Sequence, residues 1–359
     1  MLLQKASAKD IVVVIPALNE EQYIEACVRS LIGDDPDMRD VLVMVMDGGS
    51  CDRTVEIVES LSSEFPNLVC KNNPRRIQSA AVNIAAQTAP PSRQILIRCD
   101  AHSIYPPDFV KKIADTMVRT GASSVVVPMD AIASKGQFQA ANAWVVDSPL
   151  GNGGSAHRGG NKSGYVDHGH HAGFNRDDYL QLGGYDETFS HNEDAEYDHR
   201  VNASGRKVWM ESDARIQYVP RDSFRGLWKQ YFNYGKGRAK NLKKHKSKPK
   251  LRQLVPLVNF LCLLGCGTGA ILWSVLGPQN GWLNTLGYGA LAFQPLLYLS
   301  ALIAVSVVGV MKMKSASGLF AGVVLACMHN SWALGFLKGY LMTPTPDREA
   351  SELKLVNQS

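Results

Sequence analysis

A long run of residues without a charged side chain divides this sequence into two parts. No Asp, Glu, Lys or Arg occurs between Arg252 and Lys312, whereas the residues before Arg252 are densely charged. Such a change marks a change of solvent from water to lipid, because unpaired charges are costly in hydrocarbon. Segments 254–277 and 283–311 are each long enough to cross a bilayer as a helix, and 316–337 is a third candidate. We therefore expect three membrane spans.

The third segment contains two polar residues that constrain its placement. His329 and Asn330 each need a hydrogen-bonding partner inside the protein if this segment crosses the bilayer. A re-entrant or interfacial segment is the alternative, since irregular backbone is tolerated at membrane depth where protein covers it.

Lys and Arg residues are concentrated in segment 225–252, where aromatic residues such as Tyr231 and Phe232 lie among them. This pattern is typical of a juxtamembrane segment that faces anionic lipids, and a solvated helix face is the alternative. Lys312 and Lys314 follow the second apolar segment, so the positive-inside rule places both basic regions and the preceding domain in the cytosol. The formal net charge of the whole chain is only +5, which does not favour nucleic-acid binding.

Cysteine usage and the first residues agree with a cytosolic domain. The seven cysteines form no CxxC pair, so neither a disulfide framework nor a zinc site is predicted. The first ten residues, MLLQKASAKD, are too short and too soon charged for a secretory signal. We expect reduced thiols in a domain that remains in the cytosol.

The first part of the chain alternates short β-branched runs with amphipathic segments, which is typical of parallel strands joined by crossover helices. The predicted strands are 11–15, 41–46, 68–71, 95–98 and 124–128, and the predicted helices are 54–65, 77–87, 108–119, 177–182 and 194–203. A further helix is expected over 24–32, with Asn19 as a candidate cap for its start. The fold class is therefore α/β, with an open, mostly parallel sheet flanked by helices.

Four regions are predicted along the chain. They are an α/β domain over 1–224, a basic amphipathic juxtamembrane segment over 225–252, the membrane helices over 253–341 and a polar tail over 342–359. Between residues 135 and 164 the chain is rich in Gly, Ser and Asn, so we expect a mobile loop over the site there.

Polar residues follow three of the predicted strands, at the edge where open α/β sheets bind their ligands. They are PALNE at 16–20, DGGSCDRT at 47–54 and DAH at 100–102. None is the GxGxxG turn of a dinucleotide binder or the GxxxxGK[ST] loop of an ATPase.

The first two of these segments suit a nucleoside. Asp47 can accept a hydrogen bond from a uracil ring N–H, while Pro16, Asn19 and Glu20 shape the neighbouring turn. Taken singly, an aspartate in a glycine-rich loop is more often a turn residue or a helix cap. The combination of the segments favours nucleotide binding.

Asp100 and His102 are candidates for holding a metal ion at a diphosphate. They alternate along an extended segment, so both can face one ion while Ala101 points away. A carboxylate with phosphate oxygens suits Mg²⁺ or Mn²⁺, and a histidine ligand favours Mn²⁺. Arg75 and Arg76 can add positive charge at the phosphates. A loop with a surface histidine is the alternative for the pair.

Asp194 is a candidate general base. It lies in the segment HNED just before a predicted helix, and a partly desolvated carboxylate beside a substrate gains basicity. A helix N-cap is the alternative, because acidic residues are common in the first turn of helices.

Five segments, in this order, resemble the motifs of family 2 glycosyltransferases with the GT-A fold. They are VVVIPALNEE, VMDGGSCDRT, CDAHSIYP, GHHAGFNRDDYLQLGGYDE and HNEDAEYDHRV, which span roughly the first two thirds of the chain. The resemblance implies sugar transfer from a nucleoside diphosphate to a hydroxyl group, with inversion at the anomeric carbon. It implies that Asp100 and His102 occupy the metal motif and that Asp194 is the base. His102 stands where many relatives have a second Asp, which bears on metal preference.

Within the family, the chain resembles rhizobial succinoglycan-type exopolysaccharide glucosyltransferases. This similarity implies transfer of glucose from UDP-glucose to a polyprenyl-diphosphate-linked sugar at the bacterial inner membrane. Gly173 and Phe174, and Glu193 beside the base, are then expected at the acceptor. The QxxRW motif of processive synthases is absent, and Tyr234 and Arg238 in its place are candidates for holding the diphosphate.

Other functional classes fit the sequence less well. A processive synthase needs a larger helix bundle than three spans provide, so single-sugar addition is favoured. A non-catalytic nucleotide-binding scaffold has no need of a base such as Asp194. A nucleotidyltransferase would carry a Gly-rich, basic loop after the first strand, where Glu20 and Glu21 lie instead.

Overall fold

The computed structural model describes residues 5–33, 35–154, 158 and 162–343. The chain forms two compact units. The first comprises residues 1–130 and 155–218, and the second comprises residues 131–154 and 219–359. Most of the predicted polar tail, from residue 344 onward, lies outside the described residues.

Ten strands and twelve α-helices occur in the described residues. The strands are β1 (Ile11–Ala17), β2 (Leu42–Asp47), β3 (Leu68–Asn72), β4 (Ile95–Arg98), β5 (Ser124–Val127), β6 (Met129–Ala131), β7 (Gly164–Val166), β8 (His170–Asn175), β9 (Val208–Met210) and β10 (Ile216–Tyr218). The helices are α1 (Ile24–Ile32), α2 (Thr54–Glu64), α3 (Gln78–Thr88), α4 (Phe109–Thr120), α5 (Gly136–Asp147), α6 (Pro149–Asn152), α7 (Arg176–Gln181), α8 (Glu193–Ala203), α9 (Phe224–Lys244), α10 (Leu251–Leu276), α11 (Trp282–Met313) and α12 (Ala321–Met342).

The first unit is built on an eight-stranded sheet with the order β3-β2-β1-β4-β8-β5-β9-β7. Strands β3, β2, β1 and β4 are parallel, whereas β8 runs antiparallel between β4 and β5. Val13 and Ile15 of β1 lie in one hydrophobic cluster, and Val12 and Val14 lie in the other. Both faces of the sheet are therefore buried, as apolar strands connected by crossover helices require. The predicted mostly parallel α/β sheet is confirmed.

Parallel pairing brings the polar segments that follow β1, β2 and β4 to the same edge of the sheet. Ala17 at the end of β1 is paired with Asp47 at the end of β2, and β4 ends beside β1 just before Asp100. The three polar segments therefore follow neighbouring strands at the carboxyl edge of the sheet.

Two expectations about local structure were wrong. Asn19 does not cap α1: Tyr23 is the N-cap residue, and Asn19 has a positive φ of 57° and accepts a hydrogen bond from the Cys51 backbone N–H. The segment that we expected to be a mobile loop contains α5 and α6. Its Gly, Ser and Asn residues are concentrated after Asp147, whereas α5 carries apolar residues that pack within the second unit; residues 155–157 and 159–161 of the expected loop lie outside the described residues.

The second unit contains three helices, counted over residues 162–343, that are long and apolar enough to cross a membrane. They correspond to α10, α11 and α12, the last extended by the short 3₁₀ turn Ala316–Phe320. The polar residues of α12 have partners inside the protein. The Tyr298 hydroxyl lies 3.4 Å from His329 Nδ1, and Asn330 Nδ2 donates to the Ala326 carbonyl at 2.8 Å. Both contacts reduce the cost of placing these groups in an apolar environment.

Glycines allow α9 and α12 to pack with their backbones in contact. A Cβ atom on Gly235 of α9 would lie 2.0 Å from the Trp332 carbonyl oxygen, and one on Gly335 of α12 would lie 2.0 Å from the Phe232 carbonyl oxygen. Small residues on both helices are the usual solution for close helix pairs in membranes. The basic helix α9 is thus firmly packed against the most buried of the apolar helices.

Gly235→Ala is expected to destabilise the second unit. The new methyl group would overlap backbone atoms of α12, which cannot move like a flexible side chain, so we expect a loss of about 1–3 kcal/mol. Thermal unfolding in detergent would measure it. Gly265→Ala in α10 is the matched control, because a Cβ there meets nothing within 4 Å and Ala favours helix. Equal melting temperatures for both variants would contradict the packing argument.

Candidate functional site

The loops after β1 and β2 are tied together by side-chain hydrogen bonds. Asp47, which is nearly buried, accepts from the backbone N–H of Gly49 at 2.8 Å and from the Ser50 hydroxyl at 2.5 Å. Ser50 Oγ in turn accepts from the Asn19 backbone N–H, and Asn19 Oδ1 accepts from Cys51 N–H. The Asp47 carboxylate therefore organises its own loop, and Pro16 lies in β1 directly beside that loop.

The two predicted phosphate-binding arginines follow β3. Arg76 has a positive φ of 58°, and its guanidinium lies over Gly49, where a Cβ atom would be 3.4 Å from Arg76 Nε. Arg75 is half-exposed and forms an ion pair of 2.7 Å with Glu187. Arg76 thus contacts the loop after β2, whereas Arg75 is bound to the segment that follows α7.

Asp100 is surrounded by donors. Its Oδ1 oxygen accepts from Arg98 Nη2 and from Gln78 Nε2, both at 3.1 Å, and its Oδ2 oxygen lies 3.6 Å from His170 Nε2. Burial opposes ionisation of this carboxyl, but the nearby Arg98, His170 and His102 outweigh burial and lower the pKa of Asp100 to about 2. Asp100 is therefore an anion with one oxygen held by the protein and the other directed toward His170.

His102 is more exposed than Asp100 and lies across from the loop of β1. Its Nδ1 atom is 3.3 Å from Glu20 Oε1, while the Glu20 backbone N–H donates to Thr54 Oγ1 at 2.8 Å. Glu20 therefore connects the ends of β1, β2 and β4. Among the residues described, no group of three or more His, Cys, Asp or Glu side chains is arranged to hold a metal ion.

Glu193 and Asp194 occupy the first turn of α8, after the N-cap residue Asn192. Burial alone would raise the pKa of Asp194, but the neighbouring His168, His171 and Arg98 outweigh burial and lower that pKa. Burial and the charge of Asp194 raise the pKa of Glu193. The gain in basicity that we expected for Asp194 is therefore wrong: its neighbours stabilise the anion and make it a weaker base, and the raised pKa belongs to Glu193 instead. Asp194 is ionised at neutral pH and can still accept a proton.

The predicted base, its nearest metal-ligand candidate and the predicted acceptor residues fall into three places. Asp100 and Asp194 share one neighbourhood, because the negative charges of both raise the pKa values of His170 and Arg98. Burial outweighs these charges at His170 and lowers its pKa to about 4. Phe174 of β8 is fully buried among aromatic rings, and a Cβ at Gly173 would meet Ile113 at 2.6 Å, so both belong to the core. Tyr234 and Arg238 lie on α9 in the second unit, where Tyr234 accepts a hydrogen bond from Gln230 at 3.0 Å.

The residues that surround the two carboxylates were not predicted from the sequence. Arg98, Gln78 and His170 contact Asp100, and His168 and His171 lie near Asp194. Arg98 is separated from Asp100 by one residue and could have been recognised as sharing its face of an extended segment. The histidines lie in the segment HGHH, whose proximity to Asp100 depends on the antiparallel pairing of β8 with β4.

The glycosyl transferase family 2 model matches residues 12–183. The succinoglycan biosynthesis protein ExoA of Rhizobium meliloti (strain 1021) is 38% identical to this chain over 330 residues, which are 92% of this chain and 94% of that protein. The chain belongs to glycosyl transferase family 2. The resemblance predicted from the five motifs is confirmed, and the protein is a glycosyltransferase.

More distant similarities agree with this assignment. The dolichyl N-acetyl-alpha-D-glucosaminyl phosphate 3-beta-D-2,3-diacetamido-2,3-dideoxy-beta-D-glucuronosyltransferase of Methanococcus voltae is 28% identical over 109 residues, 30% of this chain and 33% of that protein. Among solved structures, the mannosyltransferase PcManGT from Pyrobaculum calidifontis, in complex with GDP-Man and Mn²⁺, superposes with a TM-score of 0.53 and 18% identity, covering 92% of this chain and 86% of that one. This likeness shows the fold, and the predicted GT-A architecture of the glycosyltransferase is confirmed.

Proposed function

We propose that this glycosyltransferase is an inverting, metal-dependent enzyme that transfers a hexose, glucose from UDP-glucose, to a polyprenyl-diphosphate-linked sugar in bacterial exopolysaccharide synthesis. The shared neighbourhood of Asp100 and Asp194 carries the proposal. Arg98 and His170 contact Asp100, and the charge of Asp194 raises the pKa values of both residues. One carboxylate is then available to a cation at the leaving diphosphate and the other to the acceptor hydroxyl. The similarity to the Rhizobium meliloti protein supports the polysaccharide pathway.

A divalent cation fits the residues around Asp100. Oδ1 is engaged by Arg98 and Gln78, whereas Oδ2 is directed toward His170, and His102 follows two residues later. Mg²⁺ and Mn²⁺ at diphosphates commonly use one or two protein ligands and complete their shell with phosphate oxygens and water. The absence of a larger ligand cluster in the described part of the chain agrees with a cation held partly by substrate. When bound, the cation neutralises charge on the departing diphosphate.

The remaining site residues are proposed to bind substrates. Asp47, Asn19, Glu20 and Pro16, in the loops that hydrogen bonds tie together, bind the nucleoside, and Arg75 and Arg76 add positive charge at its phosphates. A nucleoside site built from tied loops loses little entropy when the donor binds.

The second unit is proposed to hold the lipid-linked acceptor at the inner membrane. Helices α10, α11 and α12 anchor the chain, and the Lys and Arg residues of segment 225–252 face the anionic lipids of the cytoplasmic leaflet. Tyr234 and Arg238 on α9 contribute to binding the acceptor diphosphate. The first unit then works in the cytosol, where nucleotide sugars are made.

A donor screen on membranes that contain the full chain tests this function. Radiolabelled UDP-glucose, UDP-galactose and GDP-mannose would be offered with a polyprenyl-diphosphate-linked sugar, and the lipid product would be analysed by mass. We expect incorporation of one hexose from UDP-glucose, complete loss of transfer in excess EDTA and recovery on adding Mn²⁺ or Mg²⁺. Transfer that persists in EDTA would contradict the metal assignment, and a polymeric product would contradict single-sugar addition.

A further inference from the structure

A network of buried polar side chains in the first unit connects the end of β4 with α8, and the proposed reaction leaves it unexplained. We call it the Arg98 network; its members are Arg98, Tyr185, His171 and Asp198. All four are at most 7% exposed. Burying two charged groups is costly compared with filling the same space with apolar side chains, so such a network needs a reason beyond stability.

The contacts form an unbroken series. Arg98 Nη2 donates to Asp100 Oδ1 at 3.1 Å, and Arg98 Nη1 donates to the Tyr185 hydroxyl oxygen at 3.4 Å. The Tyr185 oxygen lies 2.6 Å from His171 Nδ1, and His171 Nε2 lies 2.7 Å from Asp198 Oδ1. Four contacts thus connect the Asp100 carboxylate with the middle of α8.

The chemistry of these groups sets the direction of each hydrogen bond. Asp198 accepts from His171 Nε2–H and, through its other oxygen, from His168 Nδ1 at 2.8 Å. In the neutral imidazole with a protonated Nε2, Nδ1 is an acceptor, so the Tyr185 O–H donates to it. Burial raises the pKa of Tyr185, so its proton is retained. Arg98, which has no acceptor atom, donates to both Tyr185 and Asp100.

Local backbone geometry supports the same arrangement. The register between β5 and β8 shifts so that Val125 is opposite Gly173 whereas Val126 is opposite His171, which leaves Ala172 as an extra residue in β8. Bulges of this kind redirect side chains beside active sites. Because of this bulge, the His171 side chain does not follow the regular alternation of side chains along the strand.

We propose that the Arg98 network is a positioning device, which holds the Asp100 carboxylate and α8 in fixed relative positions through the Tyr185 hydroxyl. Asp198 lies one helical turn after Asp194 on α8, so a network that fixes Asp198 also fixes the proposed base. This inference rests on the proposed function, in which Asp100 faces the cation and Asp194 accepts the acceptor proton. Displacements of about 1 Å between such groups cost up to about 100-fold in rate.

Tyr185→Phe removes only the hydroxyl that joins the two halves of the network. We expect kcat for sugar transfer to fall by about 10-fold to 100-fold, with the KM for UDP-glucose little changed. The melting temperature should fall as well, because the buried Arg98 Nη1 and His171 Nδ1 lose a hydrogen-bond partner. Tyr197→Phe is the matched control: Tyr197 packs against Tyr185 in the same aromatic cluster, and its hydroxyl has no hydrogen-bond partner among the described residues. Hydrogen–deuterium exchange of the full chain in detergent should show faster exchange over 190–200 in Tyr185→Phe than in Tyr197→Phe.

His171→Gln provides a conservative rescue, because its amide supplies a donor and an acceptor in place of the two ring nitrogens, whereas His171→Leu supplies neither. We expect the Gln variant to retain more turnover than the Leu variant.

Three results would overturn the positioning device. They are wild-type kcat in Tyr185→Phe, equal exchange over 190–200 in Tyr185→Phe and Tyr197→Phe, and an equal fall of kcat in the two variants when both are measured below their melting temperatures. A wild-type chain that transfers no hexose from any donor would contradict the proposed function, and the exchange measurement, which needs no turnover, would then decide whether the network holds α8 in place.

Discussion

Asp194→Asn is expected to lower kcat by about 10²–10⁴-fold, the contribution that a general base usually makes. The substituted side chain has the same shape, and its carbonyl oxygen can still accept from the Ala195 backbone N–H, as Asp194 Oδ1 does at 2.8 Å. It has no basic oxygen to take the proton of the acceptor hydroxyl. The fold and the KM for UDP-glucose should therefore remain close to those of the wild type, and kcat alone should fall.

The pH dependence of kcat adds a second check on Asp194. Because the pKa of this carboxyl is lowered below its usual 3.8, the base form is present throughout the neutral range. We therefore expect no loss of kcat through protonation of Asp194 between about pH 5 and pH 8.

Asp177→Asn is the matched control for this variant. Asp177 is the second residue of α7, as Asp194 is the second residue of α8, but Asp177 is exposed. Steady-state rates of both variants in membranes, with the lipid-linked acceptor, would separate loss of a base from loss of a helix-terminal charge. Turnover by Asp194→Asn equal to that of the wild type would remove Asp194 as the base.

Asp100→Asn is expected to abolish metal-dependent transfer and to weaken the binding of UDP in the presence of Mn²⁺. The amide oxygen can keep the hydrogen bonds from Arg98 and Gln78, but the anionic oxygen near His170 is lost. Removing a direct ligand should weaken Mn²⁺–UDP binding more than the roughly 10–100-fold that the loss of an outer-shell partner costs. Calorimetric titration of the purified full chain with UDP and Mn²⁺ would measure this change.

Asp108→Asn serves as the control for Asp100→Asn. Asp108 is exposed, follows the same strand and has a positive φ of 60°, which Asn tolerates well. We expect wild-type binding of UDP and Mn²⁺ in that variant. Unchanged Mn²⁺–UDP affinity in Asp100→Asn would show that the cation lies elsewhere.

The sequence predicted the parts of the structure that depend on local periodicity. The apolar strands, the amphipathic helices and the three long apolar helices were found within a few residues of their predicted bounds. The polar segments at 16–20, 47–54 and 100–102 were expected at one edge, because parallel strands all end there, and the structure confirms that arrangement. The five motifs and their order along the chain also sufficed to recognise the family.

Only the tertiary structure decided what surrounds the carboxylates. His170 lies beside Asp100 because β8 inserts antiparallel between β4 and β5, and no local pattern encodes which distant strand becomes a neighbour. The burial of Arg98 and its connection through Tyr185 to α8 likewise depend on side chains far apart in the chain. Periodicity fixes which face of a segment is apolar, since that depends on adjacent residues. Electrostatic surroundings depend on which segments pack together, and that is settled by the lowest free energy of the whole chain.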